Sequence, residues 1–139
     1  MWSDVGMVPS PRSSGRVAAG LLLGCAGFQA ALAAGAPWGA AAYGGAHPGR
    51  LPGRLRATSA VAAPVYLGMA AVAAGAVGSP RVRTVLTGLG AVWLAVGVPV
   101  NLASPSLPER ALWVPVTAAG AVNLWRAVPP EQRRWPLRS

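Results

Sequence analysis

Four long stretches of this chain carry no Asp, Glu, Lys or His, and their spacing leaves few ways to fold it. They lie near residues 17–35, 59–78, 84–103 and 111–128. Each approaches the roughly 20 apolar residues that cross a bilayer core of about 30 Å as a helix. Irregular backbone facing lipid would leave its amides and carbonyls without partners, so runs of this composition are expected to be helical. They lack the apolar–polar alternation of membrane-barrel strands. Arg126, the one charge inside a run, is near enough to its end to reach the interface. Pro64, Pro99 and Pro115 fall within the runs, where membrane helices tolerate proline and kinks are expected.

Composition agrees. The chain has 139 residues, 53% of them hydrophobic and only 11% charged. A soluble domain carries about a quarter charged residues, so water is a poor solvent for this surface. The links at 78–81 and 104–110 are short and rich in Ser and Pro, which makes neighbours antiparallel. The fold class expected is therefore all-α membrane. It is a single-domain, antiparallel four-helix transmembrane bundle over 1–139, with a basic Pro/Gly-rich first connection at 36–58 and a basic tail at 129–139. Arg12 and Arg16 before the first run, and ALAAGA at 31–36 within it, also fit a cleaved signal peptide. The run is long for that, and Pro37 would follow the last cleavage site, so retention of the first span is expected. Gly20 and Gly24, with Gly88, Ala91 and Ala95, are small enough to permit close helix approach.

The net charge of +9 comes from twelve basic residues, all of them Arg. With the Ala, Gly and Pro richness, this choice fits the codon bias of a high-GC bacterial genome. The arginines flank apolar runs and accompany no recognition helix or aromatic sheet, so they set orientation and meet anionic headgroups rather than nucleic acid. Eight (Arg12, Arg16, Arg81, Arg83, Arg126, Arg133, Arg134 and Arg138) lie on the side of the termini, against four (Arg50, Arg54, Arg56 and Arg110) on the other. Both termini are thus expected in the cytoplasm, with the protein in a bacterial cytoplasmic membrane.

The first connection contains YGGAHPGRLPGRLR at 43–56. Pro48-Gly49 and Pro52-Gly53 are each expected at the centre of a type II turn, which would present Arg50 and Arg54 at equivalent positions. Leu51 and Leu55 would then point down, with the guanidinium groups against phosphates. Trp38 and Tyr43, and at the other end Arg126 and Trp135, are expected as interface anchors.

GAPWG at 35–39, Tyr43-Gly44-Gly45, His47 and LPGRLR at 51–56 resemble a known pattern, as do the later Asn101, Ser104, Ser106, Glu109 and Arg110. It belongs to uncharacterised small four-helix integral membrane proteins of high-GC bacteria. A tyrosine stands at 43 where that pattern has tryptophan. The resemblance covers most of residues 30–116, implies the same architecture and brings no activity with it.

Gln29, His47, Arg50, Arg54, Arg56, Asn101 and Glu109 are expected at one end of the bundle, as a candidate polar or ligand cluster. The plainer use of Gln29 and Asn101 is helix–helix hydrogen bonding, with Glu109 paired to a loop arginine. Asn123 and Thr117 add polar capacity in the fourth run. Cys25 is the only cysteine, which excludes an intrachain disulfide and makes it a small buried hydrophobe. With Asp4, Glu109 and Glu131 as the only carboxylates and His47 the only histidine, neither a metal cluster nor a buried carboxylate pair is expected. The chain is accordingly expected to be non-enzymatic and without cofactor. Its expected role is an accessory or lipid-interacting component, partnered by the bilayer and by a second copy or another membrane protein. The alternative is an oligomeric small-solute transporter or channel. The charge count predicts that a label on the C-terminal tail is shielded in intact cells and reached only after permeabilisation; labelling from outside would reverse the topology.

Overall fold

The computed structural model describes residues 8–133, so Arg134, Trp135 and Arg138 of the expected basic tail lie outside the described residues. It is all-helical. There are four long helices, α1 (Pro11–Ala34), α2 (Gly53–Ala73), α3 (Pro80–Leu102) and α4 (Leu107–Ala127). A long connection with 3₁₀ turns at Gly39–Ala41 and Tyr43–Gly45 joins α1 to α2, short turns join the later helices, and a 3₁₀ turn at Pro130–Gln132 follows α4. By length and composition α1, α2 and α3 are apolar enough to cross a membrane. At 21 residues, α4 matches α2 in length and spans roughly 30 Å. It is more polar, because its first turns carry Glu109 and Arg110 and its last turn Arg126.

All four helices begin several residues before the apolar runs do. Ser10, Ser79 and Ser106 cap α1, α3 and α4, their hydroxyls accepting from the amides of Ser13, Val82 and Glu109. A proline stands in the first turn of each of these three, where a missing N–H costs nothing. Hydropathy marks where an apolar run begins, whereas caps mark where a helix begins. The largest difference is in α2, which occupies Gly53–Ala73 rather than 59–78. Pro52 opens it, so Arg54 and Arg56 ride on its first turns instead of lying in the loop. At the far end Gly75 adopts φ 75 and the Ala76 amide bonds back to Ala71, closing the helix although apolar residues continue to 77. The helices run unbroken through Pro64, Pro99 and Pro115.

The start of α1 packs against the ends of α2 and α4, with Gly15 beside Ala73 and Ala127. α3 and α4 pass in opposite senses, with Gly90 against Leu124 and Gly97 against Thr117. Buried residues of α1 recur at helical spacing, Ser14, Ala18, Leu22, Cys25 and Ala26, and of this helix Ala18, Ala19 and Leu22 meet Ala70, Ala91, Leu94 and Leu124 in one core. The small residues that allow this approach are not those of the Gly20–Gly24 pair. Both are exposed, and a Cβ at either would meet nothing within 4 Å. Small residues at four-residue spacing arise by chance in so alanine-rich a chain, and only the packed face distinguishes them. A Cβ on Gly15 would come 2.5 Å from the Ala73 carbonyl oxygen, which is backbone and cannot swing aside. Gly15→Leu is therefore expected to lower stability in detergent by about 1–3 kcal/mol or more. Gly24→Leu should melt with the wild type, and equal midpoints for all three proteins would contradict this packing.

Candidate functional site

The expected polar cluster lies where α1 ends, α2 begins, α3 ends and α4 begins. There the first connection folds back over the bundle. Its two arms are zipped together by Gly39 N–H to the Gly49 carbonyl (3.0 Å) and Ala40 N–H to the Pro48 carbonyl (3.2 Å). At its tip Tyr43, Gly44 and Gly45 take positive φ in succession, at 50°, 75° and 71°. Left-handed backbone is uncommon for tyrosine and costs of order 1–3 kcal/mol unless its surroundings hold it. Here the Tyr43 hydroxyl shares a hydrogen bond with the Ser59 hydroxyl (2.9 Å) and reaches the Leu55 carbonyl (3.4 Å).

This backbone turns the Gly44 N–H onto the Glu109 carboxylate, Oε2, at 2.9 Å. The Ser104 hydroxyl donates to the same oxygen. Ser106, the cap of α4, receives the Glu109 amide at 3.3 Å and donates its hydroxyl to the Ala40 carbonyl. Four residues after Glu109, Trp113 Nε1–H donates to the Ala41 carbonyl at 2.7 Å. The first turns of α4 thus grip the loop at Ala40, Ala41 and Gly44. Only 9% of Glu109 is exposed, so its carboxylate depends on these donors. A loop arginine was its expected partner. Instead a backbone amide and a hydroxyl, both fixed by local geometry, hold it, and a long flexible guanidinium stem need not be ordered to do so.

Below this grip the aromatic rings form a second layer. Phe28 meets Trp113 edge-on at 4.8 Å and stacks on Trp38 at 5.9 Å. Leu32, Ala42 and Leu51 close a small core, with Phe28, Tyr43 and Leu55 around it. The leucines of the PGRL repeat therefore point down, but into the protein's own interior. The two expected type II turns are absent. Neither Gly49 nor Gly53 is among the glycines at positive φ, and the second Pro-Gly starts α2 instead. Arg50 and Arg54 consequently are not equivalent, since one belongs to the loop and the other to a helix.

The remaining cluster residues divide. Arg56 Nε donates to the Ala33 carbonyl at 3.0 Å, covering the end of α1. The Arg50 guanidinium lies against Gly35, where a Cβ would be 2.8 Å from its Nε. His47 and Arg54 are exposed. Asn101 is half-buried beside Gly97, and the Oε1 of Gln29 is buried without a hydrogen-bond partner among the described residues. Arg110 donates to the Ser104 carbonyl at 3.0 Å, from α4 back to the link that precedes it. Asn123 and Thr117 turn inward on their own helix, bonding the Ala119 and Trp113 carbonyls. Trp38 is half exposed, Arg126 exposed and Cys25 buried. Among the described residues no group of three or more His, Cys, Asp or Glu side chains is placed to hold a metal.

Of the residues that do most of the bonding, the sequence names Gly44, Ser104 and Ser106 only through the pattern it resembles and gives no sign of Ser59 or Trp113. The signal was present as Ser106-x-x-Glu109, a capping-box spacing. In the usual box the Glu reaches back to the cap amide, whereas Glu109 reaches across to the loop. Glu109→Ala leaves the Gly44 amide and the Ser104 hydroxyl without their acceptor. The expected loss is about 1.5–3 kcal/mol of stability, with the loop opened to protease before the helices melt. A wild-type melt and unchanged cleavage would show that the grip is not needed.

No protein-family model, curated protein or solved structure matches the chain.

Proposed function

We propose that the protein is a multi-pass component of a bacterial cytoplasmic membrane that acts without catalysis, as a lipid-interacting or accessory protein. One observation carries the reading. The outward faces of α2 and α3 present large apolar side chains to the surroundings, among them Val61, Val65, Leu67, Leu89, Val92 and Trp93. Trp93 is 64% exposed, and a contiguous apolar surface of this extent is costly in water and ordinary in lipid. On this reading α4, the least apolar helix, makes the fourth crossing beside α1 and α3, and the eight-to-four arginine asymmetry keeps both termini in the cytoplasm. A non-catalytic role is supported by the use made of Glu109, whose Oε2 serves the loop rather than an open cavity.

The alternative, an oligomeric small-solute transporter or channel, draws on the Oε1 of Gln29, buried and without a partner among the described residues. Two measurements separate the readings. Protein in native vesicles is expected to resist alkaline carbonate and to leave only with detergent, and release by carbonate would end the membrane reading. Proteoliposomes are expected to show no solute flux above empty vesicles; flux abolished by Gln29→Leu or Asn101→Leu would favour the transporter.

A further inference from the structure

The end of the molecule opposite the gripped loop is built differently. A cavity of about 600 Å³ opens there between the starts of α1 and α3 and the ends of α2 and α4. Three cations line it, Arg12, Arg16 and Arg83, together with Gln132, and no carboxylate lines it among the described residues. Two helix starts and two helix ends meet at the rim, so their dipoles oppose one another and the arginines decide the sign. Arg83 is anchored by donating from Nη1 to the Gly75 carbonyl at 2.9 Å. A guanidinium has five N–H donors in a fixed fork, so this anchor leaves others for an anion.

A second cavity, of about 670 Å³, runs along the seam between α2 and α3, the most loosely packed of the consecutive helix pairs. Its walls are apolar, including Val65, Tyr66, Met69, Leu89 and Trp93. Both volumes are in the range of small-molecule sites. Val72 and Thr87 line both cavities. The cationic chamber therefore adjoins an apolar groove that leads along the helices, away from that end.

We propose that the two cavities form one site for an anionic phospholipid, its phosphate held by Arg12, Arg16 and Arg83 and an acyl chain lying in the α2–α3 groove. The assignment rests on the membrane reading above and adds its ligand class and location. Charge complementarity selects an anion for the chamber, and the adjoining apolar groove selects an anion that carries a hydrocarbon tail. In the proposed topology the chamber opens at the cytoplasmic leaflet, whose anionic lipids would enter sideways through the groove.

Native mass spectrometry on the full chain in detergent tests this, with phosphatidylglycerol, phosphatidylcholine of matched chains, or inorganic phosphate added. Phosphatidylglycerol is expected to be retained about tenfold or more tightly than phosphatidylcholine, and Arg12→Gln with Arg16→Gln to bring the two within about twofold. Gly68→Trp fills the groove from a position whose Cβ meets nothing within 4 Å, and should weaken both lipids, while Gly24→Leu on the far face of α1 should weaken neither. Equal retention of the two lipids by the wild type, or a preference that survives the arginine changes, overturns the proposal. So does inorganic phosphate binding as tightly as lipid with Gly68→Trp inert, which marks a free-phosphate pocket. A dimer that Gly68→Trp splits would give the groove to a second copy and equally overturn it. A chain that carbonate strips from vesicles fails the membrane reading, whereas one that stays embedded without headgroup preference fails this site alone.

Discussion

A single carboxylate organises one end of this protein. Glu109 sits in the first turn of α4, is nearly out of reach of solvent, and accepts the Gly44 amide and the Ser104 hydroxyl. Removed from water, an ionised carboxylate is stable only where donors replace its hydration. That requirement fixes the loop tip in its left-handed conformation, and the loop in turn brings Ala40 and Ala41 over Ser106 and Trp113. A connection rich in glycine, alanine and proline has little intrinsic reason to adopt one shape. Here it does so because three polar anchors from one helix turn the same way.

The two ends thus solve opposite problems. At the gripped end polar groups are matched to one another, and Leu32, Ala42 and Leu51 fill the space beneath. At the other end three arginines line an open chamber, and the neighbouring seam between α2 and α3 is loosely packed. On the membrane reading there is no hydrophobic drive to close such a seam, because lipid tails are as apolar as leucine. A groove that would collapse in a soluble core is stable when a hydrocarbon chain can lie in it.

How much was legible from sequence follows from what each signal measures. Hydropathy located all four helices and misplaced their starts, because Ser10, Ser79 and Ser106 cap α1, α3 and α4 upstream of the apolar residues. Pro-Gly signals a turn twice in this sequence. At Pro52-Gly53 the same proline that presets φ for a turn opens a helix, and local chemistry does not distinguish the two uses. Gathering the polar residues at one end followed from topology, but their pairing did not, since the partner of Glu109 is a backbone amide and backbone amides leave no mark in a sequence. In the sequence the arginines of the chamber show only as flanking charge, because its walls come from four helix ends that no linear pattern joins.

Hydrogen exchange at the Gly44 amide, measured on the protein in lipid nanodiscs, tests the central claim most directly. If the carboxylate of Glu109 holds the loop over the bundle, that amide exchanges as slowly as those within the helices. Exchange at the rate of an open glycine-rich loop would mean that the grip is not formed, and with it the account of this end of the molecule would fall.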